Sequence, residues 1–101
     1  MLDHRTETFM AVCNVMNYRE AAELLHITQP AVTQHIQFLE KEYGCRLFIY
    51  ENRKLIKTPA AQMLEDYLRS VQQRENFLRE KIKTMVSGNC VSVQPRPLVT
   101  V

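Results

Sequence analysis

The chain has 101 residues, 46% hydrophobic and 24% charged, enough for one small core and little more. Its net charge of +2 is too small to call for a polyanionic partner by itself, and residues 1–58 carry seven basic and seven acidic side chains against six and four in 59–101. No apolar run approaches the roughly 20 residues that span a bilayer, and no signal peptide is visible.

Cys13, Cys45 and Cys90 form no CxxC pair, and His4, His26 and His35 have no zinc-ligand spacing relative to them. No metal or cofactor is expected, and a reducing, cytoplasmic setting fits best. Cys13 reads as a small core hydrophobe.

Residues 3–16 place Phe9, Val12, Cys13 and Met16 at helical spacing behind Asp3, a suitable N-cap. Asn17 breaks that pattern, and with Glu20 three residues on it has capping-box spacing. A short second helix follows, with Ala21, Ala22 and Leu25 as its apolar face and an end near His26. Thr28 is the next N-cap. Pro30 falls in the first turn, where a missing N–H has no intrahelical partner to lose. The third helix runs through Val32, Ile36 and Leu39 to about Tyr43, and Gly44 ends it. Two helices joined by about three residues have helix–turn–helix spacing.

Beyond Gly44 the period shortens. Leu47–Tyr50 and Leu55–Lys57 are β-prone runs around the polar Glu51-Asn52-Arg53-Lys54, which predicts a small hairpin. Thr58-Pro59 repeats the cap-and-proline signal and opens a long helix through about Met85, with Ser87-Gly88 as its stop. Along it Leu64, Leu68, Val71, Glu75, Leu78, Ile82 and Met85 recur at heptad spacing. A solvated second half is one reading of that seam. The sharper one is a partner helix, most simply from a second copy, with Glu75 setting register or meeting Arg74 or Arg79 of that copy. The stretch from 87 to 101 reads as a disordered tail or the start of an absent domain.

The third helix has an unusual surface. With Val32, Ile36 and Leu39 inward, its other faces present Gln29, Ala31, Thr33, Gln34, His35 and Gln37, with no formal charge from Thr28 to Leu39. Gln pairs bidentately with adenine, Thr bonds bases or phosphates, and Ala or the Thr methyl meets the thymine methyl. Arg53 and Lys54 at the hairpin tip would reach phosphates or a minor groove. Arg46 and Lys57 at the hairpin ends are as readily read as solvated. Such a helix reads bases while its flanks supply phosphate contacts.

The segment "NYREAAELLHITQPAVTQHIQFLEKEYGCRLF", residues 17–48, resembles the amino-terminal domain of LysR-type transcriptional regulators. The resemblance rests on Ala21-Ala22, Leu25, Gln29-Pro30-Ala31-Val32, Ile36, Leu39-Glu40, Gly44 and Leu47-Phe48, with Thr58-Pro59-Ala60 similar to the start of that family's linker helix. It covers residues 2 to about 86. It implies a mostly α, winged helix–turn–helix domain over 1–58, a linker and dimerisation helix over 59–86, and double-stranded DNA as partner of a homodimer. Carried over, Thr28, Gln29, Pro30, Ala31, Thr33, Gln34 and His35 fall at recognition-helix positions and Arg53 at the wing, with Lys54 beside it. Leu64, Leu68, Val71, Leu78, Ile82 and Met85 are the dimerisation candidates. Gln34 and Tyr50 stand where the family often has Arg, Thr33 where it usually has Ser, and Ala61 where Gly is frequent. An effector-binding domain and its small-molecule ligand have no counterpart in these 101 residues.

Three function classes follow. The leading one is a base-reading DNA-binding dimer on an interrupted palindrome. Its rival is a helical dimerisation module that titrates a longer relative without binding DNA. An enzyme is the poorest fit, since no nucleophile–base set, metal cluster or phosphate loop stands out.

Overall fold

The computed structural model describes residues 3–88. In chain order they form α1 (His4–Val15), α2 (Tyr18–Leu25), α3 (Gln29–Tyr43), β1 (Phe48–Glu51), β2 (Lys54–Lys57) and α4 (Pro59–Gly88). The expected mostly α winged helix–turn–helix, followed by a long helix, is what the chain adopts.

Local chemistry sets the helix ends. The Asp3 carboxylate accepts the Thr6 N–H at 3.0 Å, and the Thr6 hydroxyl closes a capping box by accepting the Asp3 N–H at 2.9 Å. Met16, expected on the apolar face of α1, instead leaves the helix in a left-handed conformation at φ 51° and packs partly buried against the core. Asn17 caps α2 by accepting the Glu20 N–H at 2.8 Å. His26 ends α2 at φ 60°, and its N–H bonds back to Glu23. Thr28 caps α3 by accepting the Ala31 N–H at 3.2 Å, with Pro30 in the first turn. Gly44 closes α3 at φ 69°. Its requirement is one of backbone conformation, since nothing lies within 4 Å of where a Cβ would project.

The three-helix core is built from Phe9, Val12, Ala21, Val32 and Ile36, with Leu47 and Phe48 arriving from the start of the hairpin. Phe48 meets Phe9 at a centroid distance of 5.5 Å and takes the edge of Tyr18 at 6.3 Å. Cys13 is buried as expected, and burial pushes its thiol up to about 12.

The hairpin differs in detail from its sequence reading. The register pairs Phe48 with Lys57 and Glu51 with Lys54, so each strand is shifted or lengthened by a residue and the turn is Asn52-Arg53 alone. Both turn residues have positive φ, 53° and 65°, the pattern of a type I′ turn that matches strand twist.

Thr58 anchors the start of α4. Its hydroxyl donates to the Arg46 carbonyl at 2.7 Å and accepts the Ala61 N–H at 3.2 Å, while its own N–H bonds Leu47 O. Ala61 is fully buried, so its methyl is part of the core. The helix continues through Ser87 and Gly88, past its expected stop. The stretch 89–101 lies outside the described residues.

Candidate nucleic-acid interface

Helix α3 packs on α1 and α2, which cover its Val32–Ile36–Leu39 side and leave the opposite side open. Thr28, Gln29, Pro30 and Gln34 are exposed there, and Ala31, Thr33 and His35 are half-buried. The first turn and a half of α3 thus offers amide and hydroxyl groups on a surface free of formal charge.

His35 is tied down on one side. Its Nδ1 lies 2.7 Å from the hydroxyl of buried Thr8, and that hydroxyl also donates to the His4 carbonyl at 2.9 Å. Both bonds are satisfied together when Nδ1 carries the proton. This network assigns the tautomer and leaves Nε2 as an acceptor.

Arg53 and Lys54 are exposed at the hairpin tip, and among the described residues neither takes part in an ion pair. The hairpin packs on α4 through β2 and on Phe9 and Tyr18 through Phe48 of β1.

Two cations at the hairpin base have internal partners. Arg46 reaches Glu40 at 3.4 Å and the Phe48 carbonyl at 3.1 Å. Glu40 also accepts the Leu47 N–H at 2.8 Å, which explains a carboxylate that is only 15% exposed. Lys57 lies 2.6 Å from Glu65, itself 4% exposed and also bonded by Arg69. Burial raises the Glu65 carboxyl, but Lys57 and Arg69 outweigh it and hold it below the usual carboxylate range. Lys57 belongs to this cluster and not to a solvated surface.

Sequence reasoning missed that cluster, since Lys57 and Glu65 are separated by the start of a helix and each reads as solvated. It also missed Phe38. This ring is 43% exposed on α3 and carries the Arg5 guanidinium 3.8 Å from its centroid, beside the open face. The signal was available: a large apolar residue among glutamines.

The α4 seam is split. Leu68 is buried in the chain's own core, so it is not open to a partner in the way the heptad reading expects, and Leu64 is half-buried against that core. Val71 is half-buried, and Leu78, Ile82 and Met85 are 56%, 50% and 69% exposed. Met63 and Tyr67, outside the predicted seam, are 74% and 63% exposed. With Tyr43, Cys45, Leu47, Ala60 and Leu64 they line an open groove of about 550 Å³ beside the first half of α4. Glu75 pairs with Arg79 of its own helix at 3.0 Å.

Residues 4–62 match the family model described as bacterial regulatory helix-turn-helix protein, lysR family. An uncharacterized HTH-type transcriptional regulator of Bacillus subtilis, YxjO, is 38% identical over 82 residues, covering 81% of this chain and 28% of its own length. The Hca operon transcriptional activator HcaR of Escherichia coli is 38% identical over 69 residues, 67% of this chain and 23% of its own. The chain thus spans about a quarter of the length of these curated relatives. Among solved structures, a transcriptional regulator of the LysR family from Eggerthella lenta is 58% identical at a TM-score of 0.66, over 68% of this chain and 99% of that one. The BenM_DBD/benA site 1 DNA complex is 27% identical at a TM-score of 0.76, over 88% of this chain and all of that one. Among the described residues, no helix is long and apolar enough to cross a membrane.

Proposed function

The chain belongs to the lysR family of bacterial regulatory helix-turn-helix proteins, and on that premise we propose that it binds double-stranded DNA sequence-specifically as a homodimer. Each α3 enters a major groove and Arg53 and Lys54 of each wing meet the backbone. The carrying observation is the exposed, uncharged first half of α3, with Thr28, Gln29, Pro30 and Gln34 open and Thr33 and His35 beside them. Gln29 and Gln34 read base edges, Thr28 and Thr33 bond bases or phosphates, His35 accepts from a base amino group through Nε2, and Ala31 meets a thymine methyl. A bacterial regulator of this kind works in the cytoplasm, where the DNA is.

The second copy joins through α4. Its exposed apolar residues fall in two groups on either side of Arg74-Glu75. An antiparallel pair centred there sets Met63 against Val86, Tyr67 against Ile82, Val71 against Leu78 and Arg74 against Glu75 of the other copy. A parallel pair would instead bring Arg74 to Arg74 and Lys81 to Lys81. The antiparallel register supports an isologous dimer, which matches a two-fold symmetric operator.

The rival, a dimerisation module that does not bind DNA, is less well supported. The family match covers 4–62, the helix–turn–helix and hairpin, and most of α4 lies outside it. Gln29→Ala separates the two readings. The variant should keep the wild-type dimer mass and lose about tenfold or more in affinity for the selected duplex. Wild-type affinity in that variant would contradict base reading by α3.

A further inference from the structure

We propose that Glu65 fixes the angle between α4 and the helix–turn–helix body, and thereby the half-site spacing that the dimer accepts; the inference rests on the DNA-binding homodimer reading above. Glu65 and Thr8 are the buried polar side chains among the described residues, and Glu65 alone of the two is charged. A buried carboxylate is costly unless fully paired, and apolar side chains of similar volume often serve stability as well or better. Packing alone therefore gives no reason for a charge here.

Its partners lie on β2 and on α4 itself, and one of them reaches on to α1. Lys57, at the end of β2, bonds Oε1 at 2.6 Å. Arg69, one turn further along α4, bonds Oε2 and also reaches Asn14 Oδ1 near the end of α1 at 3.0 Å. One carboxylate thus joins α4 directly to the wing and, through Arg69, to the first helix.

These are the elements through which α4 is held. Helix α4 packs chiefly on α1 and β2, whereas α3 packs on α1 and α2. The direction of α3 relative to the dimer helix is accordingly transmitted through α1 and the hairpin base. The apolar contacts of α4 with the core come from Ala60, Ala61, Leu64 and Leu68, and apolar burial is non-directional, so by itself it offers little resistance to rolling about the α4 axis. Hydrogen-bonded ion pairs have directions and resist such rolling. The molecule is 26 × 24 Å across its shorter axes, so a rotation of about 10° moves the far face by roughly 4 Å, near one base-pair rise of about 3.4 Å. Small changes at Glu65 are large enough to alter register on DNA.

The test titrates three proteins of this chain, wild type, Glu65→Gln and the double variant Lys57→Met/Glu65→Leu, against a panel of duplexes. The panel carries the selected half-sites at the preferred separation, at separations shorter and longer by single base pairs, and as an isolated half-site. The double variant fills the site with apolar groups and keeps the test open should Glu65→Gln fail to fold. Wild type should favour one separation by about tenfold over its neighbours. In a folded variant that preference should shrink to about threefold or move by a base pair, with isolated half-site affinity within about twofold of wild type. A spacing profile in the folded variants that superimposes on wild type overturns the assignment of Glu65 alone. A wild-type protein that selects no duplex overturns the DNA-binding reading and this inference with it.

Discussion

The Thr8 hydroxyl and the His35 imidazole meet at 2.7 Å, joining the middle of α1 to the second turn of α3. Thr8 is 1% exposed and His35 half-buried, so the bond holds the ring from its buried side. Thr8→Val keeps the shape and removes the partner. Stability to denaturant should fall by about 1 kcal/mol, and affinity for the operator should fall with it as His35 loses its fixed orientation. A variant that loses stability but binds DNA as wild type would leave His35 a purely structural residue.

Arg53 sits at φ 65°, where a side chain with a Cβ costs about 1 kcal/mol or more relative to glycine. Arg53→Gly should therefore raise the thermal midpoint slightly while weakening DNA binding. The plot of log affinity against log salt should become shallower by about two units, the signature of one lost phosphate contact in each protomer. Stability and binding moving in opposite directions would separate the turn's backbone demand from the arginine's charge.

Glu65 predicts an acid limb. Lys57 and Arg69 hold its folded carboxyl below the ordinary value of 4.5. Its stabilising contribution is thus fully present above that value and is lost as pH falls through the lower, folded value. Unfolding free energy measured from pH 6 down to pH 2 should fall below about pH 4.5, and Glu65→Gln should flatten that fall. The same substitution should cost about 2 kcal/mol at neutral pH, less than for a fully buried pair, because Lys57 and Arg69 remain 25% and 47% exposed.

Much of this was legible in short-range signals. Asp3, Asn17 and Thr28 are caps because their oxygens reach an N–H three residues on, and Gly44 ends a helix because it takes positive φ; such events involve only neighbours along the chain. Long-range choices were not legible. Leu68 and Tyr67 are adjacent apolar residues on α4, and only packing decides that one is buried and the other open. Lys57 and Glu65 look solvated until the hairpin folds back on α4 and brings them together. On α3 the uncharged polar surface was readable, while the Arg5–Phe38 stack depends on how α1 crosses it.

The α4 register makes its own prediction. Ile82→Glu would set a carboxylate against the Tyr67 ring of the other copy and should yield monomers by sedimentation at micromolar concentration. Leu68→Ala should act differently, destabilising the folded body by about 3 kcal/mol with dimerisation retained in the folded fraction. Equal monomerisation by both would place the dimer contact on the side of α4 that faces the core.

Selection from a pool of random duplexes, followed by sequencing of the enriched fraction, tests the central claim most directly. The account predicts a two-fold symmetric, interrupted motif containing A·T pairs, with half-sites about one helical turn of 10 base pairs or a multiple apart. Protein shown to be folded and dimeric that enriches no sequence would contradict base reading by α3.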